Sequence, residues 1–569
     1  MITSGKTQYN PSTGIFKSDF ALGKPALDRS LYDYMLGDID FKNDRVVYKE
    51  CWKAQREITM GELKVKAQMI GQGLREKGKL KPGDVVMLFM TNSLEFITIL
   101  MATQFAGLKL ALTNPNYGLS ELTHAYKLTE PKLIFTQSTH FHKFVKSHIP
   151  AFKIVFADVN LNRGGVKFIG DLMVDEQRAI QAKPVEIKDL DQVAYLPFSS
   201  GTTGLPKAVE VTHRNVVAML EIMLAIPDYL NGQPLRMIGI LPFFHAYALL
   251  QCVHLPMKYD AKLFIMPRFE PNSFCDLIAN EKITMAPIVP PVFNVLANHP
   301  KANRETFKTI EFLVCGAAPL DHETQKRLED KIGVETRQGW GMTETTVGGL
   351  GFNPHMSKGS VGYLLPYTEA KILEPEKEGD GGERKALGFD VRGELLIRGP
   401  QVTKGYYKNV EASKASKTPD GFLLTGDVAV VSSKTGEFFI VDRVKELIKY
   451  KGWQVPPAEL EGLLLTHPKI GAAAVVGVFS KKDNTELPRA FELKSKESVD
   501  EKALSKEIDE FVRKRVSPYK YLRGGVRLID KVPLNPSGKI LRKDIRKLVQ
   551  AEQEEEEKLG LLGGLEAKL

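Results

Sequence analysis

Residues 199–215 read SSGTTGLPKAVEVTHRN. Hydroxyl side chains and glycines fill the first six positions, and one cation, Lys207, closes the run. The segment follows an apolar strand-like run, VAYLPFS, and leads into a helical one, HRNVVAML. A glycine-rich turn from a strand into a helix aims backbone N–H groups and hydroxyls at an anion. Ser199, Ser200, Thr202 and Thr203 supply donors, Gly201 and Gly204 let the main chain come close, and Lys207 adds a point charge. The combination suits a polyphosphate, with a nucleoside triphosphate the obvious candidate. The spacing is not that of a Walker A loop, which needs Gly-Lys followed by Ser or Thr. Here Pro206 precedes Lys207 and Ala208 follows it. A flexible linker can have the same composition. Placement between a buried strand and an amphipathic helix speaks against that.

The elements that would hold this loop form a pattern. From about Val85 to Gln338, short apolar runs (VVMLFM, KLIFT, KIVFA, VAYLPFS, MIGILPF, KLFIMP, TMAPIV, EFLVCG) alternate with helical stretches such as LEFITILMATQFA, HRNVVAMLEIML and DHETQKRLEDKI. Such alternation predicts an α/β fold with mostly parallel strands. After Gly359, RGELLIRGP, KGYYK, GFLLTGDVAVV and GEFFIV predict short strands of a small β-rich subdomain, about residues 359–442. LEPEKEGDGGERKALGFD reads as a surface loop within it. From residue 443, AELEGLLLTHPKI and EKALSKEIDEFVRKRV read as helices, and GAAAVVGVF and GVRLIDKVPL as strands. The expected division is therefore a large domain, 1–442, and a small α+β domain, 443–569, ending in an acidic tail.

Composition narrows the function classes. With 569 residues the chain exceeds one compact core, and its 43% hydrophobic and 26% charged residues are ordinary for a globular protein. The net charge of +9 is spread among acids, which favours anionic small molecules and not nucleic acid. Cys51, Cys252, Cys275 and Cys315 have no metal-type spacing and read as small buried hydrophobes in a reducing compartment. MITSGKTQYNPSTG lacks the apolar core of a secretory signal. The most apolar segment, VVMLFMTNSLEFITILMATQFAGLKLAL, is broken by Asn92, Ser93 and Glu95, so it predicts a strand, a turn and a buried helix, with no integral membrane span.

Six stretches occur in an order that resembles the motif order of the adenylate-forming superfamily, which includes acyl-CoA synthetases, firefly-type luciferases and peptide-synthetase adenylation domains. They are SSGTTGLPKAVEVTHRN, LPFFHAYAL, GWGMTETT, LLTGDVAVV, VDRVKELIKYKGWQVPPAELEGLL and VPLNPSGKILRK. The resemblance runs from about residue 40 to 545. DRVKELIKYKGWQVPPAELE and FFHAYAL are most similar to the 4-coumarate–CoA ligase-like branch. Ala208 departs from the family, which usually has glycine there.

The resemblance implies a reaction in two halves, with ATP, CoA and Mg²⁺. A small-molecule carboxylic acid, aryl or medium-chain, attacks the α-phosphate of ATP; the CoA thiol then displaces AMP. In this likeness Thr343 contacts the α-phosphate and Glu344 holds Mg²⁺. Gln338, Gly339 and Trp340 flank the adenine, and Asp427 and Arg443 take the ribose or phosphate. Lys539 bridges the carboxylate and α-phosphate, offsetting developing charge. His245 sits by the reacting carboxylate. Tyr247, Gly316, Ala317, Ala318, Gly341, Val347 and Gly348 form the acyl pocket. A C-terminal domain turning at Lys445 would withdraw Lys539 and bring in Lys449, with Lys451, Gly452 and Trp453 receiving CoA. Taken singly, these lysines also fit a solvated face, His245 a core histidine and Asp427 a turn residue.

Two alternatives stay within the superfamily: transfer to a carrier protein, and luciferase-like oxidation. A third is a non-catalytic acyl or nucleotide sensor, against which the full set of matching residues argues. Ala567-Lys568-Leu569 fits a peroxisomal import address read by its receptor; without it the expectation is the cytoplasm.

Overall fold

The computed structural model describes residues 2–20, 27–52, 55–161, 165–199, 206–226, 234–318, 320, 322–351, 355–374, 384–451, 453–480, 483, 485–493, 500–535 and 539–558. Ser200–Gly204, Gly452 and Ala567–Leu569 lie outside this set.

Two sheets with parallel centres form the α/β body. One runs in the order Lys167–Phe168, Ile154–Phe156, Leu133–Thr136, Val85–Phe89, Lys109–Leu112, Val193–Ser199, Lys207–Ala208, with Val211–Thr212 also on Val193–Ser199. The other runs Leu350–Gly351, Glu335–Trp340, Phe312–Cys315, Met285–Ile288, Leu235–Gly239, Ala261–Ile265, Val46–Glu50, Glu57–Thr59. Their central strands are continuous apolar runs because both faces are covered. Helices Met60–Glu76, Leu94–Phe105 and His213–Leu224 contribute to one shared hydrophobic core with strands of both sheets. Leu94–Phe105 is buried at every position but Glu95, and Ser93 caps it by accepting from the Phe96 N–H at 3.2 Å. The interrupted apolar segment is thus a strand, a turn and a core helix. No helix among the described residues is long and apolar enough to cross a membrane.

The β-rich unit is an antiparallel sheet: Ile2–Ser4, Thr7–Asn10, Ile15–Ser18, Glu369–Leu373, Gly393–Arg398, Leu423–Val431, Phe438–Arg443. A boundary at 359 leaves out its first three strands. They belong because Phe16 packs edge-on against Phe389 and Phe438 and stacks with Tyr9, a contact that local pattern does not announce. KGYYK, expected as a strand, is a loop. Tyr406 forms an isolated antiparallel bridge with Val209, flanked by Glu210 N–H donating to Gly405 O and Tyr407 N–H to Ala208 O, and the pairing extends no further into a ladder.

Beyond Arg443 the chain builds its own core. Strands Ala473–Ser480, Thr485–Leu493 and Val526–Ile529 pair in that order. Helix Glu501–Arg513 buries Leu504, Ile508 and Val512, the i, i+4 stripe of an amphipathic helix. Helix Pro457–Leu465 stops short of the expected Ile470 because Pro468 cannot continue it.

Candidate active site

Asp427 and Arg443 face each other in register on the antiparallel strands Leu423–Val431 and Phe438–Arg443, next to an irregularity in the ladder. Such irregularities re-aim side chains near functional sites. The Asp427 carboxylate is buried. Its Oδ1 lies 3.1 Å from Arg443 Nε, and its Oδ2 accepts from the Trp340 indole N–H at 2.8 Å. The charge of Asp427 is the largest influence raising the Arg443 pKa above its ordinary value. An aromatic ring, a carboxylate and a guanidinium are locked together by these two contacts. Gln338, two residues before Trp340, instead spends its side chain on Gln325, donating to Oε1 at 2.9 Å inside the protein. Gly339, between them, pairs with Gly351.

Lys539 enters from the C-terminal unit. Its N–H donates to Asn535 Oδ1 and its carbonyl accepts from Asn535 N–H, both at 2.8 Å, so Asn535 fixes the Lys539 backbone. Burial, then the nearby Arg443, pushes the Lys539 ammonium below lysine's ordinary 10.5; Asp427 and Glu344 oppose this. Lys539 in turn acts on His245. Desolvation, with Lys539 second, lowers the His245 pKa to about 4, so the ring is neutral near pH 7. His245 follows a loop pinned by Asn92, whose amide donates to Leu241 O at 2.8 Å and accepts from Phe243 N–H at 2.9 Å.

Thr343 and Glu344 lie in a single tight turn, Thr343–Thr345. Glu344 is buried, and its Oε1 accepts from the Tyr406 hydroxyl at 3.0 Å. Thr346 and Val347 have positive φ (47° and 95°), strained for β-branched residues. The strain is held by Thr346 Oγ1, which donates to Gln401 O at 2.7 Å. Gly341 is required here: a Cβ on it would lie 1.4 Å from Val347 O. The loop crosses itself where only a glycine fits.

The described ends of the glycine loop, Ser199 and Lys207, pair antiparallel and so draw its mouth closed. The Lys207 ammonium lies over the Tyr406 ring, 4.8 Å from its centroid. In the expected acyl pocket, Tyr247 donates from its hydroxyl to Val314 O at 3.0 Å and spreads its ring across Gly316, where a Cβ would be 3.4 Å away. Ala317 has φ of 72°. Gly348 borders Met219 and Leu365. Small residues thus sit where side chains of neighbouring elements converge.

The structure brings Trp340, Glu344, Asp427, Arg443, Lys539 and His245 into one electrostatic neighbourhood. It puts Lys445, Lys449 and Lys451 on the exposed surface of the C-terminal unit. Lys451 lies 3.4 Å from Asp483, and Trp453, 57% exposed, stacks on Tyr519 at 4.6 Å. Lys445 falls in the turn between strands Phe438–Arg443 and Ile448–Tyr450. Asn92 and Tyr406 escaped the sequence reading. The sequence marks Asn92 only as an interruption of an apolar run, and its pattern predicts a strand around Tyr406.

The model for "AMP-binding enzyme" matches residues 40–407, and that for "AMP-binding enzyme C-terminal domain" matches 459–539. The chain belongs to the AMP-binding enzyme family. A probable 4-coumarate–CoA ligase of Dictyostelium discoideum is 35% identical over 489 residues, covering 83% of this chain and 86% of its own. A phenylacetyl-CoA ligase of Aspergillus niger is 32% identical over 543 residues, covering 92% and 98%. Among solved structures, ATP-bound MatB from Rhodopseudomonas palustris shares the fold, with a TM-score of 0.79 at 24% identity over 91% of this chain and 98% of that one.

Proposed function

We propose that this protein is an ATP-dependent acid–CoA ligase that forms an acyl-adenylate and then a CoA thioester. The observation that carries this is the approach of Lys539 to Arg443, Asp427, Glu344 and His245. A cation from one unit meets the polar groups of the other where two anions, a carboxylate and a triphosphate, have to meet. The Ser199–Lys207 loop and Thr343 take the phosphates. Asp427 accepts from the ribose hydroxyls, Arg443 supports it, and Trp340 offers its ring to the adenine. Lys539 stabilises charge as the acid oxygen bonds to the α-phosphorus and the bond to pyrophosphate breaks. Neutral His245 borders the reacting carboxylate without adding a competing charge.

Glu344 fits a Mg²⁺ ion. It is a buried oxygen donor, and no group of three or more His, Cys, Asp or Glu suited to a metal occurs among the described residues. Mg²⁺ is commonly held by one or two carboxylates with substrate phosphates and water. When bound, the ion would neutralise phosphate charge.

For the second half, a turn at Lys445 withdraws Lys539 and brings the face with Lys449, Lys451, Gly452 and Trp453 to the cleft. The present exposure of Lys449 and Trp453 supports this reading. The pocket around Tyr247, Gly316 and Gly348 favours an aryl or medium-chain acid, in keeping with the coumarate and phenylacetyl relatives.

The test is pyrophosphate release from ATP across a panel of aromatic and aliphatic acids, with and without CoA. The expected result is acid-dependent release and CoA-dependent thioester. No release with any acid would point to a sensor; product without CoA would point to another acceptor or to oxidation.

A further inference from the structure

Tyr406 has no part in the roles above, yet it touches two of their principals. Its hydroxyl donates to Glu344 Oε1 at 3.0 Å, and the Lys207 ammonium rests over its ring at 4.8 Å. A phenol can do both at once, because its O–H lies in the ring plane while the electron-rich face attracts a cation. The ring thus contacts both groups.

The backbone fixes the ring there. Thr403 N–H donates to Glu344 O at 2.8 Å, Glu210 N–H to Gly405 O at 2.9 Å and Tyr407 N–H to Ala208 O at 2.8 Å. Tyr406 N–H donates to Ser413 Oγ at 2.8 Å. The 403–407 segment is therefore stitched to the Glu344 turn on one side and to the strand leaving the glycine loop on the other.

We propose that Tyr406 is a positioning residue of the adenylation site, holding the metal-binding carboxylate of Glu344 and the phosphate-loop cation of Lys207 at a fixed separation. This rests on the roles proposed above for those two residues. Tyr407, the neighbouring tyrosine, packs against a different core cluster, with Lys109 and Lys408 beside its ring, and serves as the control.

The test is calorimetric binding of β,γ-methylene-ATP with and without Mg²⁺, and of AMP without metal. Tyr406→Phe keeps the ring and loses the donor. It should reduce the Mg²⁺-dependent gain in analogue affinity about tenfold, the scale of a hydrogen bond to a charged group. AMP affinity should stay within about twofold, since that ligand bypasses the metal. Tyr406→Leu should in addition weaken metal-free analogue binding by releasing Lys207, and Tyr407→Phe should change neither. If Glu344→Gln keeps the Mg²⁺ gain, the underlying assignment falls and the inference with it. If Glu344→Gln loses the gain and Tyr406→Phe keeps it, the inference alone is overturned. An equal loss of AMP affinity and thermal midpoint in Tyr406→Phe would assign a merely structural role and also overturn it.

Discussion

Lys539 carries a charge in a place that disfavours charge. Desolvation and Arg443 both lower its pKa, so without substrate the ammonium deprotonates below lysine's ordinary 10.5. Adenylation needs the protonated form. The kcat/KM for ATP, which reports the free enzyme, should therefore fall on the alkaline side before pH 10.5. Lys539→Arg, which stays charged throughout, should have lower activity but no such fall. The same alkaline limb in both proteins would assign it to another group. At this scale the sequence was legible where a motif contained the residue: Asp427 pairs with Arg443, and Lys539 lies within electrostatic reach of both and of Glu344. Asn92 and Tyr406 were not legible, because they act by contact across 149 and 62 positions of sequence. Gln338 shows a related limit. Its type suits a polar contact, yet its amide is committed to Gln325.

At the scale of elements, the turn between Trp340 and Gly349 is where local rules are broken to serve the site. Two β-branched residues take left-handed backbone, and a glycine sits against a carbonyl. Gly341→Ala must move the Val347 carbonyl, so Glu344 moves with it. The expected outcome is a loss of adenylation of about a hundredfold or more, as for other displaced electrostatic groups. Thermal unfolding should also begin several degrees lower. Wild-type pyrophosphate release in a folded Gly341→Ala protein would show that the close approach is dispensable. Most strands and helices of the α/β body were legible because buried runs and amphipathic stripes repeat with their own periods. KGYYK was not, since it forms an isolated bridge, Tyr406 to Val209, and no ladder sets a period. The first three strands escaped because their partner, Glu369–Leu373, lies far along the chain.

For the whole molecule, the proposed function assigns the arrangement shown to adenylation. Arg542, three residues past Lys539, bonds Glu461 at 2.6 Å and Glu446 at 2.8 Å, so the Lys539 loop is tied to the segment just beyond Lys445. Asp442, just before it, accepts from Ala458 N–H at 3.0 Å across the same turn. A rotation there would carry the first set of contacts along and break the second. The division of labour between Lys539 and Lys449 is measured by separating the half-reactions: pyrophosphate release from ATP and acid, and thioester formation from supplied acyl-adenylate and CoA. The account predicts that Lys539→Ala loses the first by about a hundredfold or more while keeping the second, and that Lys449→Ala does the reverse. Loss of the same half-reaction in both variants would contradict it.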